Sequence, residues 1–349
     1  MWTQSSALDQ NWAEAFPLID VEAAARRIAG RVERTPLVPL PSPTPALEIL
    51  GKLENRQLTG SFKARGALNN VAQLREAERQ RGVVASSSGN HGLALAWAAS
   101  ASGVLATIVM PKDAYPNKIE ACRSHGAQVV LAEDRWSADD IAKELADSGL
   151  VWIHPYDRAG TVEGAGTVGL EIAEDAPELD AVVVCVGGGG LSAGTALALR
   201  RKLGHHVVII GAEPEGAAAM EAALMRGESV RLATITSEIQ GLTTPYAGHL
   251  NVAINSSALD AIMTVPDGEI YAAQRVLVNE DPAIGWAAET VEPAGAAAFA
   301  VVRASWFEPR LRQIMVARGI RRAAAPSLRV AVTISGGNPA PLQLAGLRS

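Results

Sequence analysis

Asp180-Ala181-Val182-Val183-Val184-Cys185-Val186-Gly187-Gly188-Gly189-Gly190-Leu191 is the stretch from which the fold is read. An uninterrupted apolar run rich in valine, closed by glycines, reads as a strand buried on both faces. Leu191–Lys202 follows as a helix. Four glycines between strand and helix free the backbone N–H groups to converge at the positive end of a helix. The turn therefore reads as a phosphate cradle rather than a linker. A P-loop needs Gly-Lys-Ser/Thr after the glycines, and Leu191-Ser192 stands there instead. Val207–Ile210 with Glu213 would suit a dinucleotide site, yet G-x-G-x-x-G fails in every register of residues 187–194. A monophosphate remains.

Outward from this stretch, helix and strand patterns alternate. Strands are expected at Ile49–Leu53, Val83–Ala85, Ala106–Met110, Gln128–Leu131 and Val151–His154. Helices are expected at Val21–Ile28, with Asp20 as N-cap, and at Gly92–Ala101, Asn117–His125 and Ser137–Ala146. After Gly160 the pattern restarts with helix 163–173, strand 181–186, helix 191–202 and strand 206–212. Such alternation implies βαβ units and parallel sheets. The expectation is an α/β chain of two doubly wound lobes, divided near residues 155–160. Pro39, Pro41, Pro43 and Pro45 make an extended connection, and residues 1–20, with Trp2, Trp12 and Phe16, an arm that packs on a neighbour.

The 349 residues are 48% hydrophobic and 19% charged, values that support a core and exclude disorder. A net charge of −6 without a Lys/Arg block argues against nucleic acid or an anionic membrane as partner. Cys122 and Cys185 make no disulfide framework, and Cys185 reads as a buried thiol. With no signal-peptide layout and no apolar run approaching ~18 residues, a cytoplasmic enzyme is expected.

Three further turns carry chemistry. In Thr59-Gly60-Ser61-Phe62-Lys63-Ala64-Arg65-Gly66-Ala67, Lys63 stands where a turn ends and a helix begins. An ammonium there opposes the helix dipole, so the lysine is either an ordinary solvated side chain, as most lysines are, or one meant to lose its proton. Ser86-Ser87-Ser88-Gly89-Asn90-His91-Gly92 follows Val83-Val84-Ala85 and offers hydroxyls, an amide and helix N-terminal N–H groups to a carboxylate. Arg329–Ile334 is a strand closing in Ser335-Gly336-Gly337-Asn338, which reads equally as a plain turn or as a tight backbone approach to something bound at a sheet's carboxyl edge.

The order and spacing of Ser61–Ala67, Ser87–Gly92, Gly187–Gly190 and Ser335–Asn338 resemble the serine/threonine dehydratase and serine racemase family, pyridoxal-phosphate enzymes of the tryptophan-synthase-β fold type (fold type II). The resemblance runs from about Ile28 to Asn338. It implies a discontinuous large cofactor-binding domain, residues 1–72 and 158–349, a small mobile domain, residues 73–157, and a homodimer. It implies that Lys63 forms a Schiff base with pyridoxal 5'-phosphate and later serves as base at Cα. Phe62 would lie against the cofactor ring, with Glu292-Pro293 as a wall beside it. Asn90 would bond the phenolic oxygen and Ser335 the pyridine nitrogen. Gly187, Gly188, Gly189, Gly190 and Leu191 would hold the phosphate, and Ser87, Ser88, Asn90 and His91 the substrate carboxylate. The implied reaction is β-elimination from a β-hydroxy-α-amino acid, giving a 2-oxo acid and ammonia.

The chain departs from the family at several points. Ser88 stands where racemases of the family carry a second acid/base, so racemisation by Lys63 and Ser88 on opposite faces is the alternative activity. A non-catalytic cofactor-binding protein and, more distantly, a Rossmann-type oxidoreductase are the other readings. Members with a divalent ion use positions matched by Glu213, Ala217 and Ala219; an alanine at the third predicts an absent or weakened site, and no metal is assigned. With no regulatory extension after Asn338, feedback control is not expected. Tyr156 and the segment Glu238–Tyr246 point to a side-chain pocket for a substrate larger than serine, such as a β-aryl serine or hydroxyaspartate-like compound.

Overall fold

The valine run at 182–184 forms a central strand, with a parallel neighbour on each side. The computed structural model describes residues 2–3, 11–12, 14–282 and 285–340. In chain order the strands are β1 (Trp2–Thr3), β2 (Leu37–Pro39), β3 (Leu47–Lys52), β4 (Val83–Ser86), β5 (Ala106–Pro111), β6 (Gln128–Ala132), β7 (Val151–Trp152), β8 (Ala181–Cys185), β9 (Val208–Pro214), β10 (Ala261–Val265) and β11 (Leu328–Thr333). The helices are α1 (Val21–Ile28), α2 (Lys63–Ala72), α3 (Glu76–Arg81), α4 (Asn90–Ser100), α5 (Pro116–Ser124), α6 (Arg135–Asp147), α7 (Ala159–Asp175), α8 (Gly190–Leu203), α9 (Ala219–Arg226), α10 (His249–Ala258), α11 (Asp267–Val278), α12 (Pro293–Arg303) and α13 (Phe307–Ala317).

Two sheets form among the described residues. The small one, ordered β6-β5-β4-β7, is parallel throughout. The large one, ordered β1-β10-β9-β8-β11-β3-β2, is parallel from β10 to β3, with antiparallel strands at both edges. The pattern expected on either side of residues 155–160 is therefore only half of the division. Strands β2 and β3 join the large sheet through β11, so that sheet takes residues from before and after the small one. Local periodicity cannot show this, because Glu48 meets Arg329 by a pairing across the whole chain.

The N-terminal arm is anchored within the chain. In its described part it packs on its own chain: β1 pairs with β10, and buried Trp12 donates from Nε1 to His205 Nε2 at 3.1 Å. The Arg201 guanidinium gathers the carbonyls of Trp12, Ala15, Phe16 and Ile19, giving the segment a polar anchor in its own chain. Residues 4–10 of the arm lie outside the described residues. Helix α1 begins as its cap predicts, with Asp20 Oδ1 accepting from Ala23 N at 2.8 Å.

Helix α7 sets the spacing of the site. It is buried along nearly its whole length between α2, which starts at Lys63, and α8, which starts at the glycine turn. A Cβ at Gly164 would lie 2.6 Å from Arg65 O, and one at Gly194 would lie 2.2 Å from Val162 O. The helices touch backbone to backbone, which only glycine permits. Lys63 and the phosphate turn are thus held by one rigid spacer.

Candidate active site

Parallel sheets place their carboxyl-end turns together, and the site is built from those of both sheets. From the large sheet come the turn after β3, leading to Lys63, the glycine turn after β8, and Ser335 after β11. The small sheet contributes the turn after β4, ending at Asn90. The Lys63 turn is pinned to the Ser335 turn by a Ser61–Gly336 bridge and by Phe62 N donating to Ser335 O at 3.1 Å.

Lys63 opens α2, and its Nζ donates to Pro155 O at 2.7 Å, lying 4.9 Å from the centre of the Phe62 ring. The residue is only half-buried, but its amine lies deep. Loss of hydration lowers its pKa from 10.5 to about 8, against the opposing pull of Cys185 and Glu292. Two residues on, Arg65 is fully buried and clamps α2. It donates to Glu54 from Nε at 2.8 Å and Nη2 at 2.7 Å, to Glu171 from Nη1 at 2.6 Å, and to Thr167 Oγ1 at 3.1 Å. Burial works against the guanidinium, but Glu54 and Glu171 more than offset it, so its pKa is raised. Lys52 closes the network, with Nζ 2.6 Å from both Glu171 Oε2 and Thr35 O.

Gly187–Gly190 form the turn expected, with Gly189 left-handed at φ +89°. Asn251 and Asn255, one turn apart on α10, donate to the carbonyls of Gly188 (2.7 Å) and Gly189 (3.3 Å). Gly248 N adds a third bond, to Gly188 O at 3.0 Å. Because each peptide is planar and trans, carbonyls drawn toward α10 turn the N–H groups of Gly189 and Gly190 the other way, as an anion requires. The Tyr156 ring lies on this turn: a Cβ at Gly188 would come within 2.3 Å of it. Tyr246 meets Tyr156 edge-on at 5.9 Å. The sequence pattern carries no signal for Asn251 or Asn255, since an i, i+4 asparagine pair on a helix is ordinarily a solvated face.

Asn90 Nδ2 donates to Glu292 Oε1 at 2.6 Å, and its Oδ1 accepts from Asn338 Nδ2 at 2.8 Å. Burial raises the Glu292 pKa, while Lys118, the Asn90 amide, the Asn338 N–H and Lys63 pull it down. Ser87 Oγ accepts from Gly89 N at 3.3 Å, and Ser88 is half-exposed on the same turn. The His91 ring turns away, with Nε2 2.8 Å from Ile153 O. A carbonyl only accepts, so Nε2 carries the proton and Nδ1 is a bare lone pair, buried without a partner. Burial, and then Lys63, lower this imidazole to about 3, so its ring is neutral and offers a carboxylate nothing. What His91 can give an anion is its backbone N–H in the first turn of α4. Ser335 is buried, and its hydroxyl and that of Thr333 bond to the Cys185 thiol, which burial raises. Leu191 is buried in the first turn of α8.

Glu213 is fully buried at the end of β9, and its two oxygens accept from Met220 N at 2.8 Å and Glu221 N at 2.9 Å. It therefore serves the N-terminus of α9. Burial raises its pKa to about 8 against those two bonds. Ala219, at the start of α9, supplies no ligand atom from its side chain.

These residues fit pyridoxal phosphate. The glycine turn offers N–H groups to its phosphate, Lys63 an amine able to be neutral for its aldehyde, and Asn90 and Ser335 an amide and a hydroxyl for its ring. Residues 28–318 match the family model described as "Pyridoxal-phosphate dependent enzyme". The L-threonine ammonia-lyase of Thermotoga maritima is 36% identical, covering 92% of this chain and 75% of its own. The phenylserine dehydratase of Ralstonia pickettii is 38% identical over 68% of this chain and 73% of its own. The crystal structure of serine racemase from Dictyostelium discoideum superposes with a TM-score of 0.80 at 31% identity, covering 92% of this chain and 98% of that one. The chain belongs to the pyridoxal-phosphate-dependent enzyme family.

Proposed function

We propose that the protein is an ammonia-lyase that removes water from a β-hydroxy-α-amino acid and releases a 2-oxo acid and ammonium. The observation that carries this is the amine of Lys63, its pKa lowered to about 8, on a turn pinned to that of Ser335 and spaced from the glycine turn by α7. Bound pyridoxal phosphate supplies an electron sink for the pair left when the Cα–H bond breaks. Lys63 holds the cofactor, then takes the Cα proton as base, which an amine near neutral pH can do. The N-terminus of α4, with Ser87, Ser88, Asn90 and the His91 N–H, holds the substrate carboxylate. Ser335 is an uncharged hydroxyl, unable to keep the pyridine nitrogen protonated as a carboxylate would. That arrangement suits elimination, in which the departing hydroxyl carries charge away promptly. The enamine product tautomerises to an imine and is hydrolysed, so the water lost is regained and the atoms balance.

Tyr156 and Tyr246 form an aromatic wall beside the glycine turn, which supports a bulky side chain on the substrate, a β-aryl serine before serine itself. Residues 73–157 act as a mobile small domain that closes over the substrate. By resemblance to the family the enzyme works as a cytoplasmic homodimer; no helix among the described residues is long and apolar enough to cross a membrane. The half-exposed Ser88 supports a second reading, racemisation with Ser88 opposite Lys63. A panel of L- and D-serine, threonine, phenylserine and hydroxyaspartate on cofactor-loaded protein tests these readings. Release of 2-oxo acid and ammonium, fastest from phenylserine, is expected. Loss of optical purity without oxo acid would give the site to racemisation.

A further inference from the structure

Asn338, the last residue of the Ser335–Asn338 motif, takes no direct part in the proposed reaction, yet it touches three pieces of the site. Asn338 Nδ2 donates to Thr59 O and to Asn90 Oδ1, both at 2.8 Å, and its backbone N–H donates to the Glu292 carboxylate. Thr59 and Gly60 form the turn that ends at Lys63. There, Gly337 N donates to Gly60 O at 2.7 Å, and a Cβ on Gly60 (φ +71°) would fall 2.4 Å from Asn338 Oδ1. Glycine at position 60 thus makes the seat into which Asn338 fits.

The donors and acceptors run in one direction. A backbone carbonyl only accepts, so the atom that Asn338 turns toward Thr59 must be its amide nitrogen. That same nitrogen faces Asn90, so Asn90 must answer with its oxygen. The nitrogen of Asn90 is then the atom left for Glu292 and for the cofactor, and it has two protons to give. An amide turned over by 180° would set nitrogen against nitrogen on one side and oxygen against the Glu292 carboxylate on the other.

We propose that Asn338 is a positioning residue that, together with Glu292, fixes which end of the Asn90 amide is presented to the cofactor, taking its own orientation from the Thr59 carbonyl. The turn before Lys63 and the orientation of Asn90 are thereby coupled, so one set of bonds aligns the group that would hold the cofactor's aldehyde and the group that would bond its phenolic oxygen. This rests on the reading of Asn90 as a cofactor ligand.

Two variants separate positioning from mere support. Asn338→Ala removes the instruction, and Asn90 keeps its bond to Glu292. Asn338→Asp is nearly the same size but reverses the instruction, setting an acceptor against Thr59 O and Asn90 Oδ1. The dissociation constant for pyridoxal phosphate, read by quenching of protein fluorescence, should rise about tenfold for the alanine variant and about a hundredfold for the aspartate variant. The band of the bound cofactor should shift in the aspartate variant. Equal losses in both, or a greater loss for alanine, would overturn the proposal, because a structural plug is worst replaced by the smaller residue. Borohydride trapping of a pyridoxyl adduct on the parent, absent in Lys63→Ala, distinguishes failure of the functional reading from failure of this one.

Discussion

Two lysines, Lys52 and Lys63, stand eleven positions apart in the chain, and the protein treats them oppositely. Lys52 is fully enclosed but meets Glu171 at 2.6 Å, with Asp175 at 3.8 Å and the Thr35 carbonyl behind. Among the described residues Lys63 is given only the Pro155 carbonyl at hydrogen-bond distance, its carboxylate Glu292 acting from further off, and its proton is loosened. The difference lies in where carboxylates are allowed. Glu54, Glu171 and Asp175 are placed around Lys52 and Arg65, which fix the helix, and kept away from the amine that must react. An ion pair at Lys63 would hold its proton in place.

The largest effect is expected from taking away the reactive member. Lys63→Ala should abolish covalent retention of pyridoxal phosphate and slow 2-oxo acid formation by roughly 10³-fold or more. Mass spectrometry after borohydride reduction and a coupled oxo-acid assay read both. Turnover near that of the parent would end the assignment of Lys63.

Breaking the network that holds the other lysine should be felt in stability. Arg65→Met strands Glu54 and Glu171 without their guanidinium, a loss of about 3–5 kcal/mol for a broken buried pair. Denaturant unfolding of the cofactor-free protein measures it. A loss well under ~1 kcal/mol would mean that the network does not clamp α2.

The smallest effect sharpens the contrast. Covalent uptake of pyridoxal phosphate by the cofactor-free protein needs the neutral amine. Its rate should therefore climb with pH through a midpoint near 8, where an ordinary lysine would climb near 10.5. In Glu292→Gln the midpoint should move down, because the carboxylate favours the charged ammonium. A midpoint moving up would show that Glu292 acts on Lys63 by some route other than charge.

Much of this architecture was legible in the residue order. Helix α1 starts and stops where Asp20 and its periodicity place it, and the valine run, the glycine turn and the strand before Ser335 fall within two residues of expectation. Those features are local. The Arg65 network was not legible, because its partners lie 11 and 106 positions away and come together only when α7 packs on α2. The orientation of the His91 ring was likewise hidden, since it is set by a carbonyl 62 positions distant. Local periodicity also hid the pairing of β3, whose neighbour β11 comes almost at the end of the described chain.

The late arrival of β11 also governs how the molecule is made. Strand β11 lies between β8 and β3, so the two flanking strands are not joined until it arrives. On a ribosome, every strand of the small sheet is available once residue 152 has emerged, whereas β3, though synthesised earlier, keeps an open edge until residue 333. The half that is complete first is the one that supplies Asn90, and the Ser335 turn that pins the Lys63 turn is made last. During synthesis the nascent chain must carry an apolar strand with one open edge for most of its length, the state in which a chaperone has most to offer.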